Sequence, residues 1–302
     1  MTILQAILLG LVQGLTEFIP VSSTAHLVFA ARLVDLYGGV DKTLQAEQTT
    51  ATIAVIQLGT LLAVFIYFAG DIIRIVGAFI RDHLAWLRGR SVPGAPKLSQ
   101  DAWLGWLVFI GSIPIGTLGL LLKKLIEGPF TKNLWVIATM MIVVGLLLAI
   151  AEVVGKRERD MNQLGIREAL AVGFSQVLSL IPGSSRSGST IMGGLFAGLT
   201  RETAARFSFL LSIPAISASG LLELREAVHK LPPGSTGALL VATIVSGVVG
   251  YASIWFLLRF LRTHSTGVFI VYRVIVGGVI LAALAAWNAL ARLELMLRGE
   301  EK

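Results

Sequence analysis

Six stretches of this chain, 48–70, 102–122, 133–151, 207–222, 231–258 and 274–291, contain no Asp, Glu, Lys or Arg. A helix crossing the roughly 30 Å hydrocarbon core of a bilayer needs about 20 apolar residues, and most of these runs reach that length. With 55% hydrophobic and 14% charged residues, and a mean hydropathy of +0.81, the composition lies outside the range of soluble globular domains. The chain reads as an all-α polytopic membrane protein with six spans. The two shortest runs, 207–222 and 274–291, reach full length only by extending past Arg206 and Arg273. Long arginine side chains near a helix end are expected to snorkel to the interface.

The net charge of +7 comes from basic residues placed between spans, Arg81, Arg88, Arg90 and Lys97 in one loop and Lys156, Arg157 and Arg159 in another. Positive-inside bias accounts for them without a nucleic-acid partner. These loops flank the spans 102–122 and 133–151, so both are assigned to the cytoplasm. Both termini then fall on the outer face, and so do Lys123, Lys124 and Lys132, which run against the bias. Tryptophans 86, 103, 106, 135, 255 and 287 lie mostly near span ends, as an aromatic belt does. Met1–Gly10 has no basic residue before its apolar run and does not read as a cleaved signal. With no cysteine in the chain, disulfides, thiolate metal sites and cysteine nucleophiles are excluded.

Two further apolar regions are interrupted. Residues 2–16 and 18–31 flank Glu17 and contain Ile19-Pro20-Val21-Ser22-Ser23, while residues 169–185 and 187–200 flank Arg186 and contain Ile181-Pro182-Gly183-Ser184-Ser185. Each run is too short to span as a helix. The shared Ile-Pro-x-Ser-Ser predicts an internal duplication, with repeats over 1–154 and 155–302. Three spans between the copies would invert the second, and inverted repeats with broken helices build polar sites near the midplane. Proline stops the first half-helix, serine caps the second, and two half-helix N-termini aimed at one spot make an anion site.

Gln13 and Glu17, four residues apart, share a helix face, and so do Ser23 and His26, three apart. A carboxylate and an imidazole can therefore converge on one hydroxyl, and ionisable groups at membrane depth are by default functional. In the second copy Ser184, Ser185, Arg186, Ser187, Ser189 and Thr190 set one guanidinium among hydroxyls, beside Gly183 and Gly188. Arginine takes phosphate oxygens bidentately and glycine lets backbone approach them, so this is the composition of a phosphate cradle. It is neither a Walker A loop nor a dinucleotide fingerprint, lacking the Lys-Ser/Thr and the preceding strand. Plainer roles fit the same residues: Ser22 and Ser184 as caps, Glu17 with Arg186 as an ion pair joining the copies, Gln13 as a bridge between helices. His83, His229 and His264 stand among charges and read as solvated.

The segments Gln13-Gly14-Leu15-Thr16-Glu17-Phe18-Ile19-Pro20-Val21-Ser22-Ser23-Thr24-Ala25-His26 and Pro182-Gly183-Ser184-Ser185-Arg186-Ser187-Gly188-Ser189-Thr190 resemble the two signature motifs of the undecaprenyl-diphosphate phosphatases, or bacitracin-resistance proteins. The stretches 55–59 and 206–211 also look like that family, and the likeness covers nearly the whole chain. It implies hydrolysis of undecaprenyl diphosphate to the monophosphate, in the bacterial cytoplasmic (inner) membrane, at a site opening to the outer face. The implied fold has six spans and two re-entrant helix-loop-helix elements. By motif position functional roles pass to Glu17, Ser23, His26, Ser185, Arg186 and Thr190. The expected catalytic set is Glu17, Ser23, His26 and Arg186, with Gln13, Ser22, Ser184, Ser185, Ser187 and Thr190 binding substrate. Where the family has Glu or Gln at its first acidic position this chain has Gln13, which weighs against a base or metal ligand there.

Ser23 is then expected to take the phosphoryl group, with His26 as base and Glu17 orienting it or touching a metal-bound diphosphate. A rival has water, activated by Glu17, attack directly. The expected cofactor is a divalent cation, Mg²⁺ or Ca²⁺, arriving with the diphosphate, with Glu17 as its protein contact. Expected partners are the polyprenyl diphosphate lipid and the membrane, with no nucleic acid, and with a homodimer left open. The runner-up is a polyprenyl-phosphate flippase or secondary transporter, which the same architecture would serve. A shared phosphate site requires the Ser23 and Arg186 side chains to come within about 8 Å of each other; a separation above about 15 Å, or one continuous span over 2–31, would reopen the transporter reading.

Overall fold

The computed structural model describes residues 1–89, 98–122, 133–232 and 234–298. Arg90, Lys97, Lys123, Lys124 and Lys132 lie outside them, as does the His229 side chain. Among the described residues the chain folds into eleven α-helices. They are α1 (Ile3–Phe18), α2 (Ser23–Leu33), α3 (Lys42–Tyr67), α4 (Ala69–Leu87), α5 (Gln100–Leu121), α6 (Leu134–Val154), α7 (Ile166–Val177), α8 (Arg186–Phe196), α9 (Arg201–Lys230), α10 (Thr236–Leu261) and α11 (Gly267–Arg298).

Five of these, α3, α5, α6, α10 and α11 as far as Arg292, are long and apolar enough to cross a membrane. The expected run 207–222 falls inside α9, which has 30 residues but is not among those five. Small residues let the long helices approach closely, the usual means of packing where lipid removes the hydrophobic drive between helices. At Gly14 of α1 a Cβ would lie 2.7 Å from the Val249 Cβ and 2.9 Å from the Ser246 carbonyl of α10. That approach seats α1, and with it Gln13 and Glu17, against α10 and α3.

Both interrupted segments fold as two helices joined by a turn. Ile19 is extended ahead of Pro20, and Ile181 ahead of Pro182, as the clash of a proline ring with the preceding residue requires. The helices after the turns, α2 and α8, have 11 residues each. At 1.5 Å per residue that is about 16 Å, half of what a span needs. The starts of these helices differ in register, however. The residue ahead of α2 is Ser22, with φ 78°, and the residue ahead of α8 is Ser185, with φ 65°. Gly183, at φ 95°, lengthens the second turn by one residue, and a Cβ there would sit 2.1 Å from the Ile137 carbonyl of α6. Only glycine fits this position.

Two sequence expectations fail here. Arg273 does not snorkel: it lies almost two turns into α11 and is fully buried. His83 is not solvated but half-buried on α4, its Nδ1 2.6 Å from the Phe79 carbonyl and its Nε2 3.1 Å from the Trp106 indole N–H. Arg206, at the other short run, pairs with Asp71 at 2.5 Å and lies over the Phe68 ring. A polar end to the bundle forms where Glu152 of α6 accepts from Arg157, Arg201 and Thr266.

Candidate active site

The last turn of α1 ends in Glu17 and Phe18. Phe18 is buried edge-on against Phe209 of α9, with 5.4 Å between ring centroids, and this packing fixes how the neighbouring carboxylate is presented. Glu17 is 7% exposed. Its Oε2 accepts from the Ser23 hydroxyl at 2.8 Å and from the Gln13 amide at 3.1 Å, while its Oε1 forms an ion pair with Arg186. Gln13 also donates to Thr60 of α3 at 3.2 Å. Ser23 and Arg186, the first residues of α2 and α8, therefore bond the two oxygens of one carboxylate.

A pocket of about 140 Å³ lies over this carboxylate, lined by Glu17, Ser22, Ser23, Thr24, Gly183, Ser185 and Arg186, together with Gln57 and Ser179. The first backbone N–H groups of a helix have no intrahelical acceptor, and here the starts of two helices, Ser23–Thr24 and Arg186, face one space. Ser185 caps α8, its hydroxyl accepting from the Gly188 N–H at 3.2 Å. Ser187 ties the two turns together, its hydroxyl donating to the Ile19 carbonyl at 3.3 Å. The Ser22, Ser184 and Ser189 hydroxyls are buried with no protein partner, so Ser22 and Ser184 are not the hydroxyl caps that the sequence suggested. Buried hydroxyls normally find a partner; Ser22 and Ser184 stand in the two turns, Ser22 lining the pocket, and Ser189 lies in the first turn of α8.

Of the sequence-expected residues, Glu17, Ser22, Ser23, Ser185 and Arg186 line the pocket. Gln13 stands behind Glu17. Thr190 faces away, its hydroxyl 2.7 Å from the Arg186 carbonyl and 2.5 Å from the Ser208 hydroxyl of α9. His26 is one turn along α2 and does not touch Ser23. Its Nδ1 lies 2.7 Å from the Ser22 carbonyl, which can only accept, so Nδ1 is the donor there. Nε2 is hydrogen-bonded to the Tyr272 hydroxyl at 2.6 Å.

The sequence reading missed Arg273. Its guanidinium donates to five backbone carbonyls: Pro20 in the first turn (3.3 Å), Gly183 and Ser184 in the second (both 3.0 Å), and Met140 (3.3 Å) and Met141 (3.1 Å) of α6. One arginine thus pins both turns, and no carboxylate is among the five acceptors that it holds. Its charge adds to the positive potential behind the pocket. Gln57, Ser179, Thr60 and Tyr272 were missed too. Gln57 and Thr60 had a signal, being polar side chains inside the charge-free run 48–70.

Among the described residues no three His, Cys, Asp or Glu side chains gather as a metal site. The pocket offers one carboxylate, already shared by an arginine and a hydroxyl. Among the described residues, the pocket's own side chains do not build a closed cation site.

The helices and the pocket define a multi-pass membrane protein whose polar site is built from two broken helices and suits an anionic group. The chain belongs to the bacitracin resistance protein BacA family, whose description matches residues 6–279. It is 51% identical over 281 residues to the undecaprenyl-diphosphatase of Syntrophobacter fumaroxidans, covering 93% of this chain and 97% of that one. It is 48% identical to the protein of the same name from Chloroherpeton thalassium (94% and 98% covered) and 46% identical to that of Mycolicibacterium gilvum (94% and 98%).

Proposed function

We propose that this protein hydrolyses undecaprenyl diphosphate to undecaprenyl phosphate and inorganic phosphate, recycling the lipid carrier of cell-wall synthesis. The observation that carries the reading is the Glu17 carboxylate, bonded to a serine hydroxyl and an arginine at the meeting of two helix N-termini. The names of the relatives support it.

In the proposed reaction the Ser23 hydroxyl passes its proton to Glu17 as its oxygen attacks the terminal phosphorus. The Ser23 O–P bond forms, the bridging P–O bond breaks, and undecaprenyl phosphate leaves, taking the proton from Glu17. Water then gives a proton to Glu17 and attacks the phosphoserine, and Ser23 departs with that proton, restoring the site. Arg186 and the N–H groups that open α2 and α8 hold the transferring phosphoryl oxygens. Glu17 serves as the base because it touches the Ser23 hydroxyl, whereas both ring nitrogens of His26 are hydrogen-bonded elsewhere, to the Ser22 carbonyl and the Tyr272 hydroxyl. A divalent cation, Mg²⁺ or Ca²⁺, would come in with the diphosphate and offset its charge, and Glu17 is the pocket carboxylate that would help hold it.

The proposed setting is the inner membrane, with six spans counting α9, and with α1–α2 and α7–α8 as re-entrant pairs in inverted repeats 1–154 and 155–302. Met140 and Met141, which Arg273 holds, lie about two turns into α6, at the end away from Lys156, Arg157 and Arg159. This position supports a site open to the face opposite the basic loops, the outside. The test is release of phosphate from undecaprenyl diphosphate by purified protein in detergent, with and without a chelator. No release in any metal condition would overturn the reading.

A further inference from the structure

Helix α4 takes no part in the pocket, and of its 19 residues only Ala78 is buried. The charge-free residues 48–67 of α3 already extend about 30 Å, the thickness of the hydrocarbon core, and α4 follows after Phe68 alone. It therefore begins at the membrane boundary, where Asp71 pairs with Arg206. Its packing on α5 is confined to the first two turns of that helix. A Cβ at Gly105 would lie 3.2 Å from Ile75 and from Phe79, the Trp106 indole donates to His83 at 3.1 Å, and Asp82 accepts from the Ser99 N–H at 2.7 Å. Ile75 and His83 are about 12 Å apart along α4, yet they meet neighbouring residues of α5. The helix thus crosses the start of α5 instead of running beside it.

Two rows line the free side of α4. Ile73, Val76, Ile80, Leu84 and Leu87 recur every three or four residues, and all five are exposed. Arg74, Arg81 and Arg88 recur every seventh residue and form a second row beside the first. The carboxylates turn the other way: the Arg74 and Arg81 side chains are 62% and 70% exposed, those of Asp71 and Asp82 only 13% each. Although Asp71 and Asp82 pair with these arginines, they also hold Arg206 and the Ser99 N–H inside the protein. A helix crossing the core would carry the arginine row through hydrocarbon. One standing in water would expose five large apolar side chains in a single strip. Only a helix lying along the boundary satisfies both rows.

We propose that α4 lies in the membrane–water boundary on the side of the basic loops and binds anionic phospholipid headgroups of that leaflet, with its apolar row among the acyl chains and Arg74, Arg81 and Arg88 on the phosphates. Two observations select lipid over a protein partner. The exposed charges of α4 are all of one sign over about 21 Å of helix axis, which suits a surface of repeated negative headgroups. The apolar row also follows directly on Leu62 and Ile66, exposed residues of the α3 span. An arginine close to an anionic membrane surface strengthens binding about fivefold, so three in a row make a marked preference for anionic over zwitterionic lipid. This surface stands apart from the pocket and does not depend on the reaction proposed there.

The experiment uses the full chain in nanodiscs of mixed phosphatidylglycerol and phosphatidylcholine. Because the chain has no cysteine, Ile73→Cys and Leu84→Cys each give a single labelling site, and the two are about 16 Å apart along the helix. Spin labels at the two positions, read by their accessibility to oxygen and to a water-soluble nickel complex, are expected at the same depth, just below the phosphates. Depths that differ by about 10 Å or more would overturn the placement. So would labels reached only by the aqueous reagent, which would leave the row to a protein partner. For the headgroups, a bimane on Leu84→Cys is quenched by brominated phosphatidylglycerol or, at the same fraction, by brominated phosphatidylcholine. The anionic lipid is expected to quench at least about twofold more strongly, with the excess falling at high salt. The excess should vanish when Arg74→Gln, Arg81→Gln and Arg88→Gln are combined, a variant in which Asp71 and Asp82 keep Arg206 and the Ser99 N–H. Equal quenching by the two lipids in the unaltered arginine row, or an excess that survives the triple substitution, contradicts the proposal.

Discussion

Glu17 closes α1 and Arg186 opens α8, 169 positions later, and the two form an ion pair at the floor of the pocket. Neither residue is spare. The carboxylate accepts the hydrogen bond of the Ser23 hydroxyl, and the guanidinium is the charge available to a phosphate in the same space. Glu17→Gln and Arg186→Ala are each expected to lower turnover by at least about 100-fold in protein that still folds. His26→Ala, which removes the hydrogen bonds to the Ser22 carbonyl and Tyr272 and not the base, is expected to cost about tenfold. Phosphate-release kinetics on the three variants check the ordering. A larger kcat loss for His26→Ala than for Glu17→Gln would return the base role to the histidine.

Arg273 holds the two turns together from behind. Arg273→Met would take the arginine's donors from the Pro20, Gly183 and Ser184 carbonyls of the turns, while Met140 and Met141 keep the partners that α6 gives them. An unsatisfied buried acceptor costs on the order of 1–3 kcal/mol, so a loss of at least about 3 kcal/mol is expected, seen as a lower unfolding midpoint in detergent. Arg273→Lys keeps the charge but has only three donors and no planar fork. It should fold, with turnover reduced about tenfold because the Ser23 and Arg186 ends are no longer held in register. Full activity in Arg273→Lys would make the clamp irrelevant to the reaction.

Gly183 is required twice over, by its positive φ and by its closeness to the Ile137 carbonyl. Gly183→Ala should cost about 2 kcal/mol or more of stability and misplace Ser185 and Arg186. Thermal unfolding with circular dichroism checks the first effect, and kcat the second. Ser22→Ala is the counterpart. The Ser22 hydroxyl makes no protein hydrogen bond, so its removal should leave the unfolding midpoint within about 0.5 kcal/mol of the parent.

Much of this was legible in the chain. Charge-free runs gave the long helices, and Pro20 and Pro182 gave the breaks. Glu17 and Arg186 stood out because each is the single charged residue between two apolar runs. Tertiary approach supplied the rest. Arg273 sits at the edge of an apolar run, where an interfacial arginine looks the same; only the closeness of α6 and α11 to the turns gives it five carbonyls to hold. The two copies of Ile-Pro-x-Ser-Ser are alike in sequence, yet their helices start one residue out of step, because Gly183 takes a conformation that Val21 does not. His26 and Ser23 share a face of α2, but spacing along that helix could not show that Tyr272 takes the imidazole and Glu17 the hydroxyl.

The central claim is that Ser23 carries the phosphoryl group after giving its proton to Glu17. The most direct measurement is a rapid-quench single turnover with undecaprenyl diphosphate labelled at its terminal phosphate, followed by mapping of labelled peptides. The account predicts transient labelling of the peptide containing Ser23 in the parent protein, none in Ser23→Ala, and strongly slowed labelling in Glu17→Gln. Phosphate release at the parental rate by Ser23→Ala, with no labelled peptide at any time, would contradict it and leave water as the direct attacking group.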